Sequence, residues 1–234
     1  MGAWDTLASA EEEFVNVVSR WLGAPERLNA GYNVHCKRFK ELDLSDPWVV
    51  QLLTGRAIDD TDSIRLSLEK LPTRSRIEIL RLTELGCVSQ NAGELQSQDV
   101  GVGISQVLPV IVTALDGKGR LLAIEQPELH LHPRFQAELA DLFIQSAKGE
   151  TAQTLILETH SEHLILRLQR RIREQAKGSA TNLPLITGDD VAIYHVTQQD
   201  GQTTANRIEL DCNGDFIQPW PDDFFEIDFY ERFS

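Results

Sequence analysis

Apolar positions from Thr6 to Leu22 fall at Leu7, Ala10, Phe14, Val17, Val18 and Trp21. That is the spacing of a helix with one buried face, and Gly23 and Pro25 stop it. The next fifty residues are less regular. A short helix fits Pro47 to Leu53, while "IRLSL" from Ile64 and "RIEILRL" from Arg76 alternate in a way that suits strand or helix equally. After Gly86 the pattern sharpens. The Gly-rich turn "DVGVGISQ", Asp99 to Gln106, leads into the apolar run "VLPVIVTAL", and "DGKG", Asp116 to Gly119, is a turn before the strand "LLAI". Pro133 opens a helix with Phe135, Leu139, Leu142 and Phe143 on one face. "TLILETH", Thr154 to His160, reads as a second strand, and Leu164, Ile165, Leu168 and Ile172 mark the following helix. Both strands lack alternation and are therefore expected to be buried on two faces. Strand, helix, strand, helix predicts an α/β fold with a parallel sheet and crossover helices.

The last part differs in character. "VAIYHV" and "RIEL" flank "TQQDGQTTAN" as the arms of a β-hairpin, and an aromatic, acidic, proline-containing tail follows. Trp220, Phe224 and Phe225 are expected to form the core of this small appendage rather than a base-stacking surface.

Length and charge narrow the function. The 234 residues suffice for one large domain or a core with an appendage. A net charge of −14, from 22 basic and 36 acidic side chains, opposes phosphate backbones and anionic membranes, so any nucleic-acid contact needs a local basic patch or another subunit. The run "RLQRRIREQAK", Arg167 to Lys177, is expected to be a solvated helix face. Cys36, Cys87 and Cys212 show no C-x-x-C pairing and read as reduced thiols. No signal peptide or apolar span is present, so a cytoplasmic location without membrane attachment is expected.

The chemistry concentrates at two strand ends. "LLAIE" puts the carboxylate of Glu125 at the C-terminal end of its strand, where parallel sheets bind ligands, and "LETHS" puts His160 at the same edge. The Gly-rich turn precedes both. His130 and His132 in "ELHLHP" lie beside Glu128, and a turn is expected there rather than a metal site, since no further ligands cluster nearby.

In this order and spacing the residues resemble the ATP-binding-cassette ATPases, within the branch of SMC-type repair ATPases and OLD-type ATPase-nucleases. "EQPELHLHP" with "ETHSEHL" is similar to a bacterial subgroup of OLD-like ATPases, and "NGDFIQPWPDDFFE" is similar to that subgroup's small C-terminal domain. The likeness spans roughly Asp99 to Phe233. It implies a signature loop at Gly101, Gly103 and Ser105, a Walker B acid at Glu125 holding Mg²⁺, a D-loop at "HLHP", and a switch histidine at His160 meeting the γ-phosphate or the attacking water. Gln126 stands where the family's catalytic glutamate usually stands. An amide orients water but is a negligible base, so the resemblance implies either slow hydrolysis or catalysis by Glu128.

The sequence contains no G-x-x-x-x-G-K-[ST], the loop whose amides and lysine hold the β- and γ-phosphates. It therefore reads as the C-terminal half of an ABC/SMC-type P-loop ATPase. The expected organisation is a mainly helical region over 1–98, the ATPase half over 99–188, and a hairpin with aromatic tail over 189–234. The implied cofactors are ATP and Mg²⁺. The implied partners are a second copy or a Walker A-bearing chain, with a nuclease or other effector as a further partner. DNA repair or antiphage defence would be the setting. The competing reading is a non-catalytic interaction module on a degenerate ATPase fold. A nuclease active site in this chain is disfavoured, because no D-x-D follows a strand.

Overall fold

The computed structural model describes residues 2–54, 61–81, 101–117, 121–150, 152–179 and 182–221. Cys87, Phe224, Phe225 and the end of the "DGKG" turn lie outside them. The chain divides into two compact units, Met1–Gly23 with Gly31–Val100, and Ala24–Ala30 with Gly101–Ser234.

In the first unit, helices α1 (Ala3–Ser9), α2 (Glu12–Gly23), α3 (Pro47–Leu53) and α4 (Thr61–Lys70) accompany strands β1 (Tyr32–Lys40) and β2 (Thr73–Arg81). "IRLSL" is thus helical, and "RIEIL" is strand. The two strands pair antiparallel, from Tyr32↔Arg81 to Lys40↔Thr73. Val34 and Ile79 are register partners and both are buried. Helix α2 packs on β1 with Val15, Val18, Trp21 and Leu22 buried, and Ser19 Oγ accepts the Val34 N–H at 3.0 Å.

The second unit carries α5 (Val102–Leu115), β3 (Leu121–Glu125), α6 (Pro133–Lys148), β4 (Thr154–Glu158), α7 (Glu162–Ala176), β5 (Ile193–Gln199) and β6 (Gln202–Ile208). Pro133 sits at the first position of α6, where its missing N–H costs nothing, and His132 caps the helix with Nδ1 accepting from Arg134 N at 3.2 Å. Ser161 caps α7, its Oγ accepting from Leu164 N at 3.1 Å. Leu139, Leu142 and Phe143 of α6 and Leu164, Ile165 and Ile172 of α7 are buried, as their spacing predicts, and the two helices pack together.

β3 and β4 pair parallel, from Leu121↔Thr154 to Glu125↔Glu158, with α6 as the crossover. The expectation that both strands are fully buried does not hold. Along each strand exposed and half-buried positions alternate. Leu121 is 65% exposed and Ile156 57%. The pair forms a sheet of its own among the described residues, so only one face has packing. Leu121, Ala123, Thr154 and Ile156 line the other, exposed face.

β5 and β6 form the expected hairpin, turning at Asp200 and Gly201 with positive φ at both. Ile186 joins a core with Ile144 and Ile172, flanked by Leu168, Val191 and Leu210. Gly214 approaches so closely that a Cβ there would meet the Gln169 carbonyl of α7 at 2.7 Å. Trp220 packs against His195 and Phe216 at ring separations of 6.1 and 5.2 Å, the part of the expected aromatic core that lies among described residues.

Candidate functional site

Parallel pairing in register sets Glu125 and Glu158 side by side at the C-terminal ends of β3 and β4. Both are exposed. The chain leaves β3 through Gln126, which adopts φ 46°, and its N–H donates to the Glu158 carbonyl at 2.8 Å. This bond extends the ladder one residue beyond the strand and turns residues 126–132 across the edge. Leu129 N donates to the Gln126 carbonyl at 3.1 Å and Leu131 N to the Glu128 carbonyl at 3.0 Å, so the segment is a tight double turn. His130 has φ 61° within it.

Glu128 points inward and is 7% exposed. Its Oε1 accepts the backbone N–H of His160 at 2.8 Å, and its Oε2 is buried with no hydrogen-bond partner among the described residues. Beside it, Ser161 Oγ donates to Gln136 Oε1 at 2.7 Å, and Gln136 Nε2 donates to the Leu131 carbonyl at 3.0 Å. Glu128 and Gln136 thereby clamp the double turn onto the end of β4. Gln126, Glu128, Gln136, His160 and Ser161 line a pocket of about 240 Å³ there. The imidazole of His160 lies outward, with Nε2 3.1 Å from Glu158 Oε1.

The sequence-predicted residues Glu125, Gln126, Glu128 and His160 thus share one sheet edge. Gly101, Gly103 and Ser105 lie elsewhere, at the start of α5. Gly101 is the N-cap and has open space around its Cα, and Ser105 Oγ donates back to the Val102 carbonyl at 2.8 Å. Gly103 is packed against the double turn: a Cβ there would sit 2.7 Å from the His130 carbonyl oxygen. Its lack of a side chain therefore serves the approach of α5 to residues 130–131.

Sequence reasoning passed over Glu158, Gln136 and Ser161. A signal for Glu158 existed, since "TLILE" ends in an acid just as "LLAIE" does. Gln136 and Ser161 act through a contact across 25 positions, which no local pattern reveals.

The arginines of α7 do not form a phosphate-binding strip. Asp141 of α6, its side chain 4% exposed, accepts from Arg167 at 2.7 Å and from Arg171 at 2.6 Å. Arg167 also meets Glu138, Arg170 and Arg171 both meet Glu174, and Arg173 pairs with Asp215. The hydrogen bond that Arg171 donates to Asp141 leads the effects that hold Arg171 above its ordinary value. Burial pushes the Glu174 carboxyl up, but bonds from Arg171 and Arg170 outweigh it and leave the group below its usual range.

The hard oxygens of Glu125, Glu158 and Gln126 suit Mg²⁺, which takes one or two carboxylates and fills its remaining positions with water and phosphate. Among the described residues no group of three or more His, Cys, Asp or Glu could hold a metal by itself. His130 lies in the double turn, and His132 caps α6.

A parallel β-α-β unit followed by a further helix, with an acid and a histidine at its carboxyl edge, defines an α/β class that binds its ligands at that edge. The chain belongs to the family described as "AAA domain, putative AbiEii toxin, Type IV TA system", whose model matches residues 38–167. This makes it an ATPase domain of the P-loop type. The match begins well before Asp99, where the resemblance was expected to start, and takes in β2 and the end of β1 from Arg38. No curated protein matches. Among solved structures, an SmcHead bound to the C-winged helix domain of ScpA aligns with TM-score 0.48 and 12% identity, over 86% of this chain and 43% of that one. A second, from structural biochemistry of ATP-driven dimerization and DNA-stimulated activation of SMC ATPases, aligns with TM-score 0.42 and 13% identity over 84% and 86%. The chain spans less than half of the first. Among the described residues no helix is long and apolar enough to cross a membrane.

Proposed function

We propose that this chain supplies the signature, Walker B, D-loop and switch-histidine half of a MgATP site, and that a companion segment, in the same polypeptide or in a partner, supplies the phosphate loop. The observation that carries this reading is the exposed face of β3–β4. Leu121 and Ile156 stand open on a two-stranded parallel pair, although such sheets are stable when covered on both sides. An apolar strand sequence with one bare face suits a sheet completed by further strands and a helix. Residues 99–188 would hold the ATPase half and 189–234 the appendage. In this reading Glu125 holds Mg²⁺, His160 meets the γ-phosphate or attacking water, and Gly101, Gly103 and Ser105 face the nucleotide of a second copy across a dimer. With Gln126 in place of an acid, turnover is slow. The setting is DNA repair or antiphage defence, with an effector such as a nuclease as partner; the family's printed description names a putative toxin of a type IV TA system.

The test is nucleotide binding. The chain mixed with a segment carrying G-x-x-x-x-G-K-[ST] binds a fluorescent ATP analogue with Mg²⁺, and Glu125→Ala weakens it; no binding in that mixture would sink the reading. The non-catalytic alternative is motivated by the missing phosphate loop together with Gln126. It predicts that complex formation survives Glu125→Ala combined with His160→Ala unchanged.

A further inference from the structure

Strands β1 and β2 carry three Lys or Arg each and a single acid, Glu78, in a chain whose net charge is −14. Their antiparallel register sorts these residues by face. One face is turned to the packing. Val34 and Ile79 are buried on it, Arg38 donates to the Ala10 carbonyl, and Lys40 Nζ donates to the Leu68 carbonyl of α4 at 2.5 Å. On the other face His35, Lys37 and Phe39 stand opposite Glu78, Arg76 and Arg74. Arg76 is exposed, and the side chains of His35, Lys37 and Arg74 are at least half exposed.

The acids offset only part of this charge. Glu78 is buried, with Oε1 3.5 Å from Lys37 Nζ and Oε2 3.9 Å from His35 Nδ1, so it holds those two side chains in place. Glu41 Oε2 lies 3.4 Å from Arg74 Nε, but both side chains are largely exposed and such a pair contributes little. The guanidinium of Arg76 stands over the Phe39 ring, 5.5 Å from its centre, and the ring is half-buried. This pair is a preformed platform for a further flat ring, with Lys37 and Arg74 beside it.

We propose that this face of β1–β2 binds single-stranded DNA, with Lys37, Arg74 and Arg76 on phosphates and the Arg76–Phe39 pair under an unpaired base. The site lies in the first unit and does not depend on the MgATP reading. Side chains on one face of a strand recur at about 7 Å, so Arg74 and Arg76 meet successive phosphates of an extended chain. Each planar guanidinium matches phosphate oxygens two at a time. A duplex offers the same phosphates but keeps its bases from the platform. A membrane surface meets the charge, but Phe39 lies under Arg76 and does not reach out to insert. Glu78 is buried and held by Lys37 and His35, so a ribose 2′-hydroxyl finds no carboxylate in these strands. The basic run on α7 does not compete for this role, since Arg167, Arg170, Arg171 and Arg173 are engaged by Glu138, Asp141, Glu174 and Asp215.

The test is fluorescence anisotropy of a labelled oligothymidylate of about 12 nucleotides with the full 234-residue chain, at about 50 to 200 mM salt. Saturable binding is expected, with log K falling against log salt at a slope of roughly −2 for three phosphate contacts. Arg74→Gln with Arg76→Gln weakens binding at least about 10-fold at the lower salt and flattens the slope by roughly 1.4. Both side chains are exposed, so this variant keeps the unmodified melting temperature. Phe39→Ala weakens binding about 10-fold and Phe39→Tyr restores it. Arg170→Gln on α7 binds as the unmodified chain does. Absence of binding at the lower salt, or binding unchanged by the double substitution, overturns the proposal. So does competition by the matching duplex, oligouridylate, polyglutamate or phosphatidylserine vesicles that equals or exceeds that of unlabelled oligothymidylate.

Discussion

Glu128 and His160, 32 positions apart, are joined by a buried hydrogen bond from the histidine's backbone N–H to the glutamate's Oε1 at 2.8 Å. The bond ties the double turn after β3 to the end of β4. Its other consequence is that Glu128 acts as a brace, turned away from the exposed edge where Glu125 and Glu158 stand. Glu128→Ala orphans a main-chain donor and is expected to destabilise the second unit by about 1–3 kcal/mol. Glu128→Gln keeps an acceptor oxygen and discharges a buried carboxylate, so it should stay within about 1 kcal/mol of the unmodified chain. Denaturant unfolding of the three proteins measures the difference; equal losses for both would show that the bond is not what holds the turn.

Gly103 and Gly101 lie two residues apart yet should respond oppositely. A Cβ at Gly103 meets the His130 carbonyl at 2.7 Å, so Gly103→Ala must push α5 away from the turn and costs about 1–3 kcal/mol. Gly101→Ala enters open space and should cost less than about 1 kcal/mol. Thermal melts of the two variants distinguish a glycine needed for close packing from one with room for a side chain.

Asp141 accepts from two arginines with its side chain almost fully buried. Removing it leaves Arg167 with Glu138 and Arg171 with Glu174, so each keeps one partner, and Asp141→Ala is expected to lose about 1.5–3 kcal/mol. Arg170→Ala, whose side chain is largely exposed, should fall within about 0.5 kcal/mol. Denaturant midpoints report both.

Acid sensitivity follows from carboxylates held below their usual range. The hydrogen bond from Lys148 leads the effects that lower Asp190, and the Asp215 backbone N–H leads those that lower Asp211. A carboxylate lowered by folding contributes fully above its unfolded value, close to 3.8, and loses that contribution as pH falls through the folded value. Asp190→Asn should therefore cost about 1 kcal/mol or less near neutrality and little once pH has fallen below that range. Unfolding measured from pH 7 downward checks the sign; a loss that grows as pH falls would contradict it.

Much of the second unit was legible in the sequence because its helices write their burial in a 3.6-residue period and its caps are local. Pro133 and the face of Leu139, Leu142 and Phe143 read directly. The strands misled. "LLAI" and "TLIL" are composed for a sheet covered on both sides, and a run of apolar residues says nothing about whether the second cover lies in the same segment. β1 went unread because "YNVHCKRFK" is basic and its partner lies beyond two helices. At the site, strand-end acids and the histidine were visible, but the roles of Glu128 and Glu158 depend on side-chain direction. Gln126 turns the chain with a positive φ and Glu128 falls inward, leaving Glu158 beside His160. No spacing rule encodes that turn.

The central claim is that these residues form half of a nucleotide site. The most direct measurement is binding of a fluorescent ATP analogue with Mg²⁺ to the chain alone, to a Walker A-bearing companion segment alone, and to their mixture. The account predicts tight binding only in the mixture, weakened by Glu125→Ala and by Leu121→Ser with Ile156→Ser on the open sheet face. Binding by the mixture no stronger than by the companion alone, or binding indifferent to all three substitutions, would contradict it.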